Sequence, residues 1–350
     1  MKTSDFDYVL PEELIAQVPV EPRTNSRLMV LNKATGTIEH RKFYNITDFL
    51  NEGDCLVLND TKVLPARLYG KIVEKDTDVE ILLLKYTGNS NIWETLVKPG
   101  KKIKKDTNLV FEGGILSGKV IKILESGNRL IKFNFSCTTS DGNETNFYDI
   151  LEQIGKMPVP HYIKEELKDR DRYQTVYAKT VGSVAAPTAG LHFTNDLLNK
   201  IKQKGVKIVH VTLHVGLGTF RPVKVDNIKD HKMHTECYTI PEESAKIINE
   251  TKANGKRVIC VGTTSCRTLE SVFKKYGKIK GISDETDIFI YPGFNFNITD
   301  GLITNFHLPK STLIMLVCAF AGKDCILNAY KTAVENKYRF YSLGDAMFVF

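Results

Sequence analysis

The sequence lacks most of the signatures by which an enzyme's chemistry is usually read. It has one tryptophan, and its longest apolar run, Leu313 to Ala321, is about half of the roughly 20 residues a membrane-spanning helix needs. That run reads as a buried helix. The first residues, MKTSDFDYVLPEEL, carry acids where a secretory signal needs a basic start and an apolar stretch, so no export signal is expected and the cytoplasm is the expected compartment. Seven scattered cysteines, an odd number, form neither a CxxC pair nor a three-cysteine cluster. This argues against an iron–sulfur radical enzyme and a structural zinc site, and fits free thiols in a reducing compartment. There is no GxSxG, no Walker loop and no cysteine–histidine signature with useful spacing. Repeats and low-complexity tracts are missing as well.

What is present is a chain of 350 residues, 42% hydrophobic, long enough for one large domain and one smaller one. Its formal net charge of +7 permits a polyanionic partner without requiring one. Pro11 to Gln17 predicts a short helix, with Glu12 and Glu13 in the first turn, where the helix dipole favours them. LMVLN and TIEHRKF flank a Gly36 turn and predict a hairpin, and CLVLN predicts a buried strand running into Asn59-Asp60-Thr61-Lys62. From Tyr69 to Tyr148, short β-like runs alternate with Gly-Asn, Pro-Gly and Gly-Gly turns, the texture of an antiparallel barrel or sandwich. Beyond it, helices (after Thr194, from Pro241 to Asn254, Ser265 to Tyr276, Ser311 to Phe320 and Cys325 to Lys337) alternate with strands KIVHVTLHV, RVICVG, DIFIY and LITNF. The expected fold is therefore mixed α/β: an α/β core from 1–68 and 149–350 carrying the site, with an antiparallel β-barrel-like domain inserted at 69–148.

The stretch Arg172 to Thr194 stands out. Gly182-Ser-Val-Ala-Ala-Pro-Thr-Ala-Gly190 has almost no side-chain bulk, so it buries little apolar area and suits close approach of backbone to a ligand. His210 and His214 share a strand face and run into Gly216-Leu-Gly218-Thr219, but VGLGTFRPV lacks the third glycine and the helix of a dinucleotide fingerprint. His231-Lys-Met-His234-Thr-Glu236-Cys237 contains possible metal ligands without the helical HExxH spacing, so hydrogen-bonded histidines are expected there, and no metal. Val261-Gly-Thr-Thr-Ser265 joins a strand to a helix and leaves N–H groups for a carboxylate or phosphate ligand, with ordinary capping the alternative; Arg267 in the first helical turn is unfavourable unless something negative lies nearby. Five lysines in Lys98 to Lys105 are either a solvated edge or a phosphate-backbone contact.

Ten segments in order, among them LNDTKVLPARL, GSVAAPTAGLHFT, HVTLHVGLGTFRPV, HKMHTECYTI, VGTTSCRTLES, DGLITNFHLPKSTL and YRFYSLGDAM, resemble the S-adenosylmethionine:tRNA ribosyltransferase-isomerases of queuosine biosynthesis. The resemblance runs to Phe350, with the β insertion its least distinctive part. It implies transfer and rearrangement of the ribosyl group of S-adenosylmethionine, a co-substrate, onto 7-aminomethyl-7-deazaguanine at the wobble position of a tRNA. The products are epoxyqueuosine, adenine and methionine, and neither a prosthetic group nor a metal is required. A methyltransferase using the same donor and a catalytically silent tRNA-binding protein are the alternatives; a monomer without a membrane partner is expected.

Residue chemistry within these motifs suggests roles. His192 and His214 suit the proton transfers, Asp60 the substrate amine or purine edge, and Arg267 the methionine carboxylate. Tyr177, Ser183, Thr188, Gly216, Gly218, Thr219, Thr264, Asn305 and His307 are expected at the substrates. Arg67, Arg172, Arg339, Lys101 and Lys102 are expected at RNA phosphates, with a structural ion pair the alternative for each arginine.

Overall fold

The computed structural model describes the chain except residues 89–90, 137–144, 166, 168, 217–222 and 224. It divides into two compact units: Met1–Lys62, Pro160–Thr180 and Ala186–Phe350 form the first, Val63–Val159 with Val181–Ala185 the second.

The first unit is built on a sheet of nine strands among the described residues. These are β1 (Arg27–Leu31), β2 (Ile38–Lys42), β3 (Cys55–Asn59), β12 (Lys207–Leu213), β13 (Glu236–Ile240), β14 (Val258–Val261), β15 (Ile282–Thr286), β16 (Gly301–Asn305) and β17 (Ala346–Val349), in the order β15-β13-β12-β3-β14-β16-β17-β1-β2. The middle four, β12, β3, β14 and β16, run parallel. All five residues of β3 are buried, as are all of β14 and β16, which is why they read as continuous apolar runs. The last strand, β17, lies inside the sheet, antiparallel to β16 and parallel to β1. Helices α2 (Asn195–Gln203), α3 (Glu242–Ala253), α4 (Gly262–Tyr276), α5 (Thr312–Ala321) and α6 (Lys323–Glu335) follow the alternation expected of an α/β core. No single helix among the described residues is long and apolar enough to cross a membrane.

Three local expectations fail for physical reasons. Only Glu12–Leu14 of the Pro11–Gln17 segment turns, as a 3-10 helix, because the next backbone groups pair elsewhere: Phe340 N–H donates to Leu14 O (2.8 Å) and Ala16 N–H to Phe340 O (3.2 Å). DIFIY is not a strand; the polar segment Ile282–Thr286 before it forms the sheet edge, where an exposed face needs few apolar residues. Finally, α4 begins at Gly262, three residues before Ser265. Gly262 takes φ +86°, which lets the helix turn directly off β14.

The second unit is a closed barrel of β5 (Arg67–Ile72), β6 (Thr77–Tyr86), β7 (Ile92–Lys98), β8 (Asn108–Phe111), β9 (Leu116–Ile123) and β10 (Arg129–Phe135), in the order β10-β7-β6-β5-β8-β9. Every neighbouring pair is antiparallel, as the turn spacing predicts. Closure leaves no free edge. Val79, Ile81, Leu83, Leu109, Leu116 and Ile131 fill it, and Phe147 at the start of α1 (Phe147–Ile154) packs on Phe133 and Trp93, with ring centroids 5.4 and 5.6 Å away. A short ribbon pairs β4 (Thr61–Val63) with β11 (Thr180–Ser183).

Candidate active site

Because β14 and β16 are parallel, their carboxyl ends open on the same side of the sheet, where ligands of open α/β folds usually bind. A cleft of about 580 Å3 lies there, entirely within the first unit. Its walls are the small-residue segment Ala186-Pro-Thr-Ala189, the first residues of α4 (Gly262, Thr263, Thr264), and Thr304 to Leu308 beyond β16. Ser311, also in the wall, caps α5 by accepting from Ile314 N–H at 3.3 Å. The cleft is thus rich in hydroxyls, with small residues at Ala186–Ala189 and Gly262–Thr264 facing larger ones, among them Tyr162, Phe306 and Tyr341.

Asn59, the last residue of β3, ties this region together. Its Oδ1 accepts from Leu213 N–H (3.0 Å) and Thr61 N–H (3.2 Å), and its Nδ2 donates to Leu213 O (3.0 Å) and Thr264 Oγ1 (3.2 Å). All four of these bonds are buried, so the ends of β3 and β12 are held in register with the start of α4. His307 also lines the cleft. Its Nε2 meets Thr304 Oγ1 at 2.7 Å, its N–H donates to the Tyr330 hydroxyl at 3.0 Å, and burial pushes its pKa down to about 3.

Asp60 and His214 form a second group. Thr212 Oγ1 donates to Asp60 Oδ1 at 2.6 Å, and His214 Nδ1 lies 2.9 Å from Thr61 Oγ1. Burial lowers the pKa of His214, and the Asp60 charge opposes that lowering. Tyr177 stands nearby with its ring 5.8 Å from His210; its hydroxyl is buried without a hydrogen-bond partner among the described residues. A Cβ on Gly190 would come within 2.1 Å of that hydroxyl, so a glycine is needed here for space.

His192 belongs to neither group. Its ring is buried, stacked on Phe43 at 4.9 Å, and lines a separate cavity of about 280 Å3. Nδ1 is 2.7 Å from Ser26 Oγ and Nε2 is 3.2 Å from Asn305 Nδ2. The Asn305 amide is oriented by its other partners: Oδ1 accepts from Thr188 Oγ1 at 3.0 Å, and Nδ2 faces the carbonyls of Tyr341 (3.2 Å) and Asp345 (3.4 Å). Nε2 of His192 therefore accepts and Nδ1–H donates to Ser26, whose own proton goes to Arg23 O at 3.1 Å. Burial first, then Arg339, Arg23 and Arg172, lower its pKa to about 3. With both nitrogens engaged, His192 is held as a neutral imidazole outside the large cleft.

The other expected residues divide. Thr188, Thr264, Asn305 and His307 line the large cleft. Arg267 does not: it is 3% exposed, ion-paired through Nη1 with Glu236 (5% exposed), with Nε donating to Ile288 O at 3.4 Å. The negative neighbour its position calls for comes from β13, because a buried guanidinium needs a fixed counter-charge, and Nη2 is buried without a hydrogen-bond partner among the described residues. Gly216 N–H donates to Glu236 Oε1 at 3.0 Å, so that carboxylate holds both. Ser183 is fully buried and donates to Ala185 O at 2.7 Å, so its hydroxyl is occupied within the second unit. Arg67 is ion-paired with Glu80 (3.5 Å) and donates to Val159 O (3.1 Å) in the same unit. Lys101 and Lys102 are exposed and in no ion pair among the described residues. Gly218 and Thr219 lie outside the described residues. Among the described residues no group of three His, Cys, Asp or Glu is arranged to hold a metal.

The sequence marked Asn59 at the polar end of a buried strand but assigned it no role, and it did not single out Ser26, Arg23, Tyr341 or Ser342. Asn59 carried a signal, an amide closing an otherwise wholly apolar strand; the others carried none, since their partners come from distant parts of the chain.

Comparison with known proteins covers the whole chain. It is 58% identical over 349 residues to the S-adenosylmethionine:tRNA ribosyltransferase-isomerases of Clostridioides difficile and Caldanaerobacter subterraneus, spanning 100% of both chains in each case. The crystal structure of the S-adenosylmethionine tRNA ribosyltransferase from Thermotoga maritima is 41% identical, matches with a TM-score of 0.57, and covers 99% of this chain and all of that one. With the family described as "Queuosine biosynthesis protein" matched over residues 3–349, this chain belongs to the queuosine biosynthesis protein family.

Proposed function

We propose that this chain transfers and isomerises the ribosyl group of S-adenosylmethionine onto 7-aminomethyl-7-deazaguanine at the wobble position of a tRNA, releasing adenine and methionine. It acts as a monomer in the cytoplasm, without a metal or prosthetic group. The observation that carries the reading is the large cleft, in a chain related over its full length to enzymes of that name. The alanine, threonine and glycine in its wall leave room for a nucleoside, and its hydroxyls suit ribose.

The donor's sulfonium acidifies the adjacent C5′ hydrogen. A base removes it, adenine leaves as the sugar opens, the substrate amine adds to the ribose-derived carbons, and epoxide closure expels methionine. His214 is the base. The Asp60 charge raises its basicity against the lowering effect of burial, as it does for His210, and its neighbour Val215 lines the cleft. Asp60 keeps His214 basic and receives the substrate amine. Thr188, Thr264, Asn305 and His307 contact the substrates from the cleft wall, and Tyr177 and Gly216 border them. Arg172, Arg339, Lys101 and Lys102 meet RNA phosphates.

The test is incubation with S-adenosylmethionine and tRNA bearing the aminomethyl base, with mass spectrometry of RNA and small products. The reading requires free adenine, free methionine and a modified tRNA. Demethylated donor would make the protein a methyltransferase; RNA binding with intact donor would make it a binding protein.

A further inference from the structure

The 280 Å3 cavity beside His192 is lined by three arginines from distant parts of the chain, Arg23, Arg172 and Arg339. Each guanidinium is held by backbone carbonyls. Arg23 donates to Gln174 O (2.8 Å) and Asp171 O (2.7 Å), Arg172 to Val20 O (2.8 Å), and Arg339 to Val18 O (3.2 Å). Arg172 is ion-paired with Glu21 and Arg339 with Asp345, and Asp169 and Asp171 lie near Arg23, but none of these acids lines the cavity. Nη1 of Arg172 is buried and has no hydrogen-bond partner among the described residues. A buried guanidinium N–H left without an acceptor is costly; burial and then Arg172 lower the pKa of Arg23 against the opposing charges of Glu21, Asp169 and Asp171, and all three arginines add to the burial that lowers that of His192. Neutral His192 and Ser26 complete a wall that offers N–H donors and no carboxylate.

We propose that Arg23, Arg172 and Arg339 together form a pocket that seats one phosphate group of the RNA substrate. Forked donors on three sides match a phosphate's several acceptor oxygens better than a lone carboxylate's two. Arg23 becomes part of substrate recognition, and Arg172 and Arg339 act on the same phosphate rather than on separate ones. The occupant's identity rests on the function proposed above; the anion pocket itself does not.

Calorimetry on the whole protein tests it with three probes: inorganic phosphate, a dinucleoside monophosphate and methionine. Both phosphate probes should bind, and Arg339→Gln should weaken them by about tenfold or more. That variant should fold, because Asp345 keeps two backbone donors, Arg27 N–H at 2.9 Å and Arg339 N–H at 2.8 Å. Arg23→Lys, which keeps the charge but loses the fork, should weaken binding too. With tRNA, Arg339→Gln should raise the KM for RNA, leave that for S-adenosylmethionine unchanged, and lower the salt dependence by about one phosphate contact. Failure of both phosphate probes to bind, or binding unchanged in both variants, overturns the pocket. Displacement of phosphate by methionine overturns the RNA assignment and gives the site to the donor's carboxylate. Absence of adenine release from wild-type protein would overturn the proposed reaction while leaving the phosphate titrations to judge the pocket separately.

Discussion

Asn305 donates from Nδ2 to Nε2 of His192 across 3.2 Å, and the two side chains belong to different cavities, Asn305 to the large cleft and His192 to the arginine pocket. The contact fixes the imidazole tautomer. At pH 7 the ring nitrogens of His192 should give the 15N NMR shifts of an Nδ1–H imidazole. Ser26→Ala, which strands that buried N–H, should cost about 1–3 kcal/mol in urea unfolding. An Nε2–H pattern would refute this orientation of the Asn305 amide.

Acid should destabilise the fold through two histidines. His192 and His307 have folded-state pKa values near 3 against an ordinary value of about 6.5. Between those values the unfolded chain binds the protons more readily. The stability they confer is therefore complete above about pH 6.5 and is lost as pH falls toward 3, each contributing a slope of up to about 1.4 kcal/mol per pH unit. Unfolding free energies from pH 7 to 4 should fall less steeply for His192→Asn than for wild type.

For proton transfer, His214→Asn should lower the rate of adenine release by about 100- to 10,000-fold with the fold intact. Asp60→Asn removes the charge that raises the His214 pKa, so the acidic limb of the kcat/KM profile should move to lower pH. A limb that stays in place would assign it to another group.

Arg267 and Glu236 should behave as a structural pair. Glu236→Gln leaves a guanidinium buried without its counter-charge and should cost about 3–5 kcal/mol, whereas replacing both residues by apolar ones of similar size should cost less. Thermal unfolding of the single and double variants reads the difference. A Glu236→Gln protein of normal Tm but raised KM for S-adenosylmethionine would return Arg267 to the substrate.

Gly190→Ala places a methyl group 2.1 Å from the Tyr177 hydroxyl and 2.8 Å from Thr175 Cγ2. It should destabilise by about 1–3 kcal/mol. Because that hydroxyl makes no hydrogen bond among the described residues, adding Tyr177→Phe should restore part of the loss. Additive effects in the double variant would mean that the strain lies elsewhere.

The barrel and the parallel strands were legible because local rules decide them. Turn residues at regular spacing mark β5 to β10, and a fully buried strand such as β3 has to be apolar throughout. The helix read at Pro11 was lost to pairing with Phe340, far along the chain, which no local signal reports. The same distance limits the site. His192 was visible as a histidine beside small residues, but its chemistry is set by Ser26 and Asn305, 166 and 113 residues away, and without them a base and a fixed neutral ring look alike. Arg267 was read correctly as needing an anion; that the anion is Glu236, 31 residues earlier, is a tertiary fact.

The position of β17 has a consequence in time. This strand sits between β16 and β1, so two strands made early in synthesis, β1 and β2, wait for residues 346–349 before they join the rest of the sheet. The barrel, whose strands are all contained within Arg67–Phe135, needs no such delay. On the ribosome, at about 5–20 residues per second, the second unit can close many seconds before the sheet that bears the cleft. The sheet that bears the cleft is the last part of the molecule to become continuous.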